Sequence, residues 1–271
     1  MILANFHTHT NFCDGQNAPE EMVQAAIKKG CTALGFSGHA YTPCDTSYCM
    51  SLEETQAYKA QVRYLQKKYA GQIDIFLGIE QDYFSEGSTD DYDFVIGSVH
   101  YINKDTAYLP VDETYEITKQ QISQYFSNDP YAYVEEYYRI VADVAEKTNA
   151  SIIGHFDLIT KFNRDGVLFD ETNPRYISAA LDAIEKLMEK PRIFEINTGA
   201  IARGYMDRPY PSSFILKAIH DRGGAILLSS DSHNTDSICS NFGLAERLAK
   251  DCGFSYTKIL TKDGFRDAYI K

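Results

Sequence analysis

The chain has 271 residues, 44% hydrophobic and 24% charged, the composition of a globular protein, and a length that a single α/β barrel fills. Its formal net charge of −12 argues against a general nucleic-acid binder, which needs a basic footprint. The charge leaves room for a small anionic substrate where metal ions reverse the local potential.

No run approaches the ~18 apolar residues of a membrane span, and the N-terminus lacks the basic and apolar regions of a signal peptide. The six cysteines show no CxxC pair or regular spacing and read as reduced thiols, so the expected location is the cytoplasm. Cys44 and Cys49 are the only pair weighed as a metal or redox couple.

In chain order, an apolar run at 2–6 leads into His7-Thr8-His9. Residues 20–29 place Met22, Val23, Ala26 and Ile27 on one helical face, with Asn17 and Glu20 at capping-box spacing. A second strand at 32–37 follows, then a helix from the Ser51/Glu54 start signal to about Ala70, and strands at 73–79 and 93–99. Residues 112–147 interrupt the alternation: a helix to about Phe126, the breaker Ser-Asn-Asp-Pro, and a tyrosine-rich helix. The stretch is read as a helical insertion in one domain spanning 1–271. Beyond it come a strand at 151–154, a helical stripe from Ile177 to Met188 stopped by Pro191, and a strand at 192–196. A helix at 211–221, a strand at 225–230 and a helix at 237–250 complete the pattern. Strand–helix alternation of this length implies a parallel sheet, either open or closed.

The residues that end the strands decide between the two. The first strand ends in His7 and His9, the second in His39, the third in Glu80, the fourth in His100 and the fifth in His155. The sixth runs into Glu195 and Asn197, and the seventh into Asp231 and His233. Six of the seven histidines occupy such positions; only His220 does not. A barrel gathers its C-terminal strand ends on one face, whereas an open sheet spreads them along a line. The expectation is therefore an α/β barrel with its site at the C-terminal ends of the strands.

Taken singly, a histidine at a strand end is more often a satisfied structural residue than a ligand. His-x-His is more telling, because alternate side chains share one strand face at roughly 7 Å and can converge on one ion. An acid closing the run Ile-Phe-Leu-Gly-Ile, as Glu80 does, needs a cation to offset its desolvation. Together His7, His9, Asp14, His39, Glu80, His100, His155, Asp231 and His233 exceed the needs of one ion. Mixed imidazole and carboxylate suits two or three divalent transition-metal ions, whether zinc, iron or manganese.

The order His-x-His, Asp, His, Glu, His, His, Asp-x-His resembles the polymerase and histidinol phosphatase (PHP) superfamily over His7 to His233. Within it, the chain length, "GSVHYI" and "FEINTGAIARG" resemble the histidinol-phosphate phosphatases. The resemblance implies a distorted (β/α)7 TIM-like barrel with a trinuclear centre. It implies that His7, His9, Glu80 and Asp231 hold one ion, that Glu80 bridges to a second held by His100 and His155, and that Asp14, His39 and His233 hold a third. Asp14 stands where some relatives have histidine, which gives the third ion a harder ligand.

The expected activity is hydrolysis of L-histidinol phosphate to L-histidinol and phosphate, a step of histidine biosynthesis, by attack of metal-bound hydroxide. Glu80, Asp231 and His233 are the expected catalytic residues. Ser229, Ser230 and Ser232 lack the Gly-x-Ser-x-Gly elbow of a nucleophile. Arg164 and Arg203 are candidate phosphate ligands, since guanidinium forks match phosphate, and Asn197 is placed with them at the substrate as a residue that orients a ligand. The tyrosines of "YAYVEEYY" either roof an imidazole-bearing substrate or pack an amphipathic helix. The competing readings are another phosphoesterase of the superfamily (nucleotidase, nuclease or phosphotyrosine-protein phosphatase) and a metal-dependent binding module.

Overall fold

A computed structural model describes residues 3–270; Ile2, the start of the first expected strand, lies outside them. In chain order the elements are β1 (Ala4–Asn5), α1 (Pro19–Lys28), β2 (Ala33–Phe36), α2 (Leu52–Lys68), β3 (Asp74–Asp82) and β4 (Phe94–Ser98). A hairpin of β5 (Tyr101–Lys104) and β6 (Ala107–Pro110) precedes α3 (Tyr115–Tyr125), α4 (Pro130–Val141), α5 (Val144–Thr148) and β7 (Ile152–Ile153). Then come α6 (Pro174–Leu187), β8 (Ile193–Asn197), α7 (Gly199–Ala202), α8 (Ser213–Asp221), β9 (Ala225–Ser229) and α9 (Phe242–Asp251). A second hairpin, β10 (Tyr256–Thr261) and β11 (Gly264–Tyr269), ends the chain order.

Seven strands form one parallel sheet in the order β1-β2-β3-β4-β7-β8-β9. The sheet curls into a nearly closed, distorted TIM-like barrel. Its two edge strands meet beyond their regular parts, where Thr8 and Ser232 form a parallel bridge. His9 N donates to the Ser232 carbonyl at 2.8 Å and Ser232 N to the His7 carbonyl at 3.1 Å. Lower on the same seam the Asn5 side chain stands in for a missing ladder bond, accepting Ser230 N at 2.9 Å. The strands are of unequal length, two residues in β1 and β7 against nine in β3.

Phe6, Phe76, Phe94, Ile96, Ile152 and Leu227 fill the barrel interior. The Phe6 ring meets Phe76 and Phe94 edge-on, each at 6.0 Å, a geometry aromatic pairs favour. Phe94 lies so close to Gly78 that any Cβ there would overlap its ring. Leu260 of β10 joins this cluster. Thr257 Oγ1 bonds the Ile226 carbonyl and Lys262 pairs with Asp74, both near the starts of their strands. The second hairpin thus covers the N-terminal end of the barrel and leaves the C-terminal end for chemistry.

Local signals act as the sequence requires in most places. Ser51 Oγ accepts Glu54 N at 3.1 Å while Glu54 Oε2 accepts Ser51 N at 2.8 Å, a reciprocal cap on α2. On α1 the cap is shifted by one residue: Pro19 occupies the first helical position, and Glu21, not Glu20, accepts Ala18 N at 2.8 Å. The last expected helix starts five residues late, at Phe242, because Cys239 and Asn241 adopt left-handed conformations (φ 53° and 59°). Between α3 and α4, Ser127 and Asn128 also have positive φ, and Asp129 caps α4 by accepting Tyr131 N at 3.0 Å. Tyr133, Tyr137 and Tyr138 of α4 are fully buried, with Tyr138 bonded to Tyr176 and Tyr137 to the Phe156 carbonyl. They are core, which favours the packing reading of this helix. Among the described residues no helix is long and apolar enough to cross a membrane.

Candidate metal centre

Thr8 forms the seam bridge, and its N–H and carbonyl are also held by Ser37 on the β2 side. With its backbone pinned on both sides, the alternation of an extended chain turns His7 and His9 to the same face, into the barrel mouth. Next door, Ala40 N donates to the Glu80 carbonyl at 2.9 Å and Glu80 N to the Gly38 carbonyl at 3.2 Å, which sets His39 beside Glu80.

Glu80 is the hub. Its Oε2 lies 3.0 Å from His39 Nδ1, 3.1 Å from His7 Nε2 and 3.4 Å from His9 Nε2. Its Oε1 lies 3.0 Å from His155 Nε2 and 3.7 Å from His100 Nε2, and accepts Ser98 Oγ at 2.6 Å. Asp231 Oδ1 is 3.2 Å from His9 Nε2 and 3.6 Å from His7 Nε2. At the outer edge, Asp14 Oδ2 is 3.1 Å from His233 Nε2 and 3.7 Å from His39 Nε2. All nine side chains singled out in the sequence converge at one barrel mouth.

These residues suit metal ions on chemical grounds. His7 Nε2, His9 Nε2 and Glu80 Oε2 are buried without hydrogen-bond partners while facing one another. Buried polar atoms without partners are costly. An ion with ~2.1 Å bonds in tetrahedral geometry spaces its ligand atoms by about 3.4 Å, the spacing found here. Three overlapping groups qualify: His9, Asp14, His39 and His233; His7, His9 and Glu80; and His39, Glu80 and His100.

The electrostatics divide the cluster: His9 is held neutral and the acids ionised. Burial opposes charge on His7 and His100, yet the carboxylates around them raise both imidazoles above their usual range. Burial, with the charges of His233 and His39, pushes His9 down to about 3. Burial opposes ionisation of Glu80, yet His7 and His39 hold its carboxyl well below the usual range. Asp231 is likewise held low against burial, by Arg203 and His7. Burial disfavours a charged His100, but Asp82 and Glu80 overcome it and raise the group to about 9.

A cavity of about 430 Å³ opens over this cluster, and Arg203, Lys161, Asp112, Glu113, Tyr48 and Tyr210 share its walls. Arg203, in the loop after α7, donates to Asp231 and lies 3.1 Å from His233 Nδ1. Arg164 does not line this cavity; it faces Asp207 at 3.6 Å over a neighbouring groove. Asn197 does not line it either. It is fully buried and donates to Glu195 Oε1 at 2.8 Å, so it braces an acid beneath the site instead of facing a substrate. Ser229, Ser230 and Ser232 are fully buried and bonded to Glu195 or to each other.

Three contributors went unassigned in the sequence. Glu195 accepts from His7 Nδ1 at 2.8 Å, Asp82 Oδ2 accepts His100 N at 2.7 Å and lies 3.2 Å from His100 Nδ1, and Lys161 pairs with Asp112 at 3.1 Å in the cavity wall. Glu195 and Asp82 share the strand-end signal of the ligands, so residue type alone does not separate support from coordination.

Comparison with known proteins points to one family. The family described as PHP domain matches residues 5–199. The histidinol-phosphatase of Bacillus subtilis is 28% identical over 86% of this chain and 94% of its own length. A protein named "Probable histidinol-phosphatase" in Deinococcus radiodurans is 29% identical over 93% of this chain and 94% of its own. The crystal structure of histidinol phosphate phosphatase from Lactococcus lactis, complexed with zinc, L-histidinol and phosphate, shares the fold. It covers 97% of this chain and 98% of that one, with a TM-score of 0.71 at 22% identity.

Proposed function

We propose that this chain, which belongs to the PHP domain family, is a metal-dependent phosphomonoesterase that hydrolyses L-histidinol phosphate to L-histidinol and phosphate. The observation that carries the reading is the set of facing, unpartnered ligand atoms on His7, His9 and Glu80 under a cavity whose walls hold Arg203 and Lys161. Supporting it are relatives named histidinol-phosphatase that align along nearly their whole lengths, and a structural neighbour complexed with the two products.

Two to three divalent ions, zinc among them, would be held by His7, His9, Glu80 and Asp231, by Glu80, His100 and His155, and by Asp14, His39 and His233. When bound, such ions supply the positive charge that offsets the phosphoryl oxygens and acidify water for the attack. The chain's own side chains do the rest. Arg203, held on Asp231, directs its remaining N–H donors to the phosphoryl oxygens that do not leave. Lys161, paired with the cavity-wall Asp112, adds a second cation to a mouth otherwise rich in acids. The seryl hydroxyls nearby are committed to internal hydrogen bonds, which leaves water as the nucleophile. The helices α3 to α5 fit an insertion within one barrel domain.

The test is phosphate release by zinc- or manganese-loaded protein from L-histidinol phosphate, nucleoside monophosphates and a phosphotyrosine peptide in parallel. L-histidinol phosphate is expected to be cleaved with the highest kcat/KM. Preference for either of the others would reassign the substrate within the same family.

A further inference from the structure

Behind the ligand ring lies an acid that does not line the cavity above it. Glu195 is fully buried in β8, and its two oxygens take four donors from four parts of the barrel. Oε2 accepts His7 Nδ1 at 2.8 Å and Ser229 Oγ at 2.7 Å; Oε1 accepts the backbone N–H of His155 at 2.6 Å and Asn197 Nδ2 at 2.8 Å. Asn197 cannot reverse its amide, because its Oδ1 accepts Gly199 N at 2.8 Å. The acid therefore faces only donors.

We propose that Glu195 is a positioning residue of the metal centre, fixing His7 in the tautomer that turns its Nε2 lone pair toward Glu80 and Asp231. An ionised carboxylate only accepts, so His7 Nδ1 must carry the proton in that bond. The remaining ring nitrogen, Nε2, is the buried, unpartnered atom that faces Glu80 at 3.1 Å and Asp231 at 3.6 Å. An imidazole whose second nitrogen donates to a carboxylate is also a more basic ligand with a fixed ring plane. The same carboxylate holds the main chain of His155, whose Nε2 faces the other oxygen of Glu80. One buried charge thus sets ligands on both sides of the hub.

Charge, not shape alone, is what the position demands. Glutamine is nearly the same size, but its NH₂ would have to point at either His7 and Ser229 or His155 and Asn197, all donors. One pair would lose its acceptor whichever way the amide turned.

The inference rests on the metal-centre reading, and its test reads metal binding without substrate. Zinc affinity of Glu195→Gln is measured by competition with a chromophoric chelator, with folding checked by circular dichroism and melting temperature. A folded variant is expected to bind zinc 10- to 100-fold more weakly, and at saturating zinc to lose kcat with KM within threefold. Ser229→Ala, which removes a donor but leaves the His7 bond, is expected to keep zinc affinity within threefold. Wild-type affinity in a folded Glu195→Gln protein overturns the proposal. Should that variant fail to fold, ¹⁵N NMR of the zinc-loaded wild type decides: a proton on His7 Nδ1 supports the assignment and one on Nε2 overturns it. A protein that binds zinc normally yet ignores L-histidinol phosphate would revise the substrate and leave the role of Glu195 standing.

Discussion

Arg203 grips Asp231 twice, donating from Nη2 to the carboxylate at 2.9 Å and from Nη1 to the backbone carbonyl at 3.0 Å. Its side chain remains one-third exposed (33%) at the cavity edge. The guanidinium is thus oriented before any substrate arrives, and a group ordered in advance loses less freedom on binding.

Arg203→Ala is expected to lower kcat/KM for L-histidinol phosphate about 10²-fold, the worth of a charged hydrogen bond made in the transition state. Metal content is expected to stay at the wild-type level, since arginine is no ligand. Steady-state kinetics with elemental analysis of the same sample check both halves; loss of metal would reduce Arg203 to a brace for Asp231.

Purified protein loaded with zinc, manganese or iron is expected to hold more than one ion per chain, because nine candidate ligand groups, Glu80 at their hub, exceed the needs of one. Elemental analysis returning a single ion would reject a multinuclear centre. Chelation is expected to abolish turnover, and zinc to restore it.

Glu80→Gln replaces the hub charge by a neutral amide whose NH₂ must face histidines on one side. Turnover is expected to fall at least about 10²-fold with reduced metal occupancy. A fully metallated, active variant would make Glu80 a structural residue only.

No phosphorylated protein is expected when turnover is quenched rapidly with radiolabelled substrate, since Ser229, Ser230 and Ser232 are buried and engaged. Ser230→Ala and Ser232→Ala are expected to retain activity. A trapped phosphoserine would replace water by serine as the nucleophile.

At the other end of the barrel, Phe94→Ala is expected to destabilise the protein by about 3–5 kcal/mol, the usual cost of deleting a buried phenyl ring. Gly78 beneath it has no side chain with which to fill the void. Denaturant unfolding of the metal-free protein measures this free from the contribution of bound ions.

The barrel and its nine converging side chains were legible because each strand is an apolar run that stops at a polar residue, a pattern independent of distant contacts. What each acid would face was not legible. Glu195 and Glu80 look alike in sequence and even in register, each paired four residues short of a strand-end residue on the next strand (Leu227 before Asp231, Ile96 before His100). Yet Glu195 is enclosed by the donors of His7, Ser229, His155 and Asn197, whereas Glu80 Oε2 faces the ring nitrogens of His7 and His39. Which groups surround a buried acid is decided by contacts from distant elements, a property of the assembled barrel. Asn197 was placed with the substrate for the same reason. The two hairpins carried weaker patterns, half-exposed and short, although Asp263-Gly264, with Gly264 at φ 97°, marks the turn of the second. At the β5–β6 turn, Asp105 and Thr106 adopt positive φ without glycine, leaving no such mark.

The bridge between Thr8 and Ser232 joins the two margins of the sheet, and the ligands divide along that line. His7 and His9 stand on one margin, Asp231 and His233 on the other. An ion shared by His9 and Asp231 would therefore act as a clasp across the join that only an isolated bridge closes among the described residues, between segments more than two hundred residues apart in the chain. Such a clasp would have nothing to fasten until the two margins meet, so metal capture would report completed folding and reward it in the same act. Hydrogen exchange at His9 and Ser232 N–H should accelerate on chelation more than at β3 or β4, the barrel opening along its seam as a ring opens at its buckle.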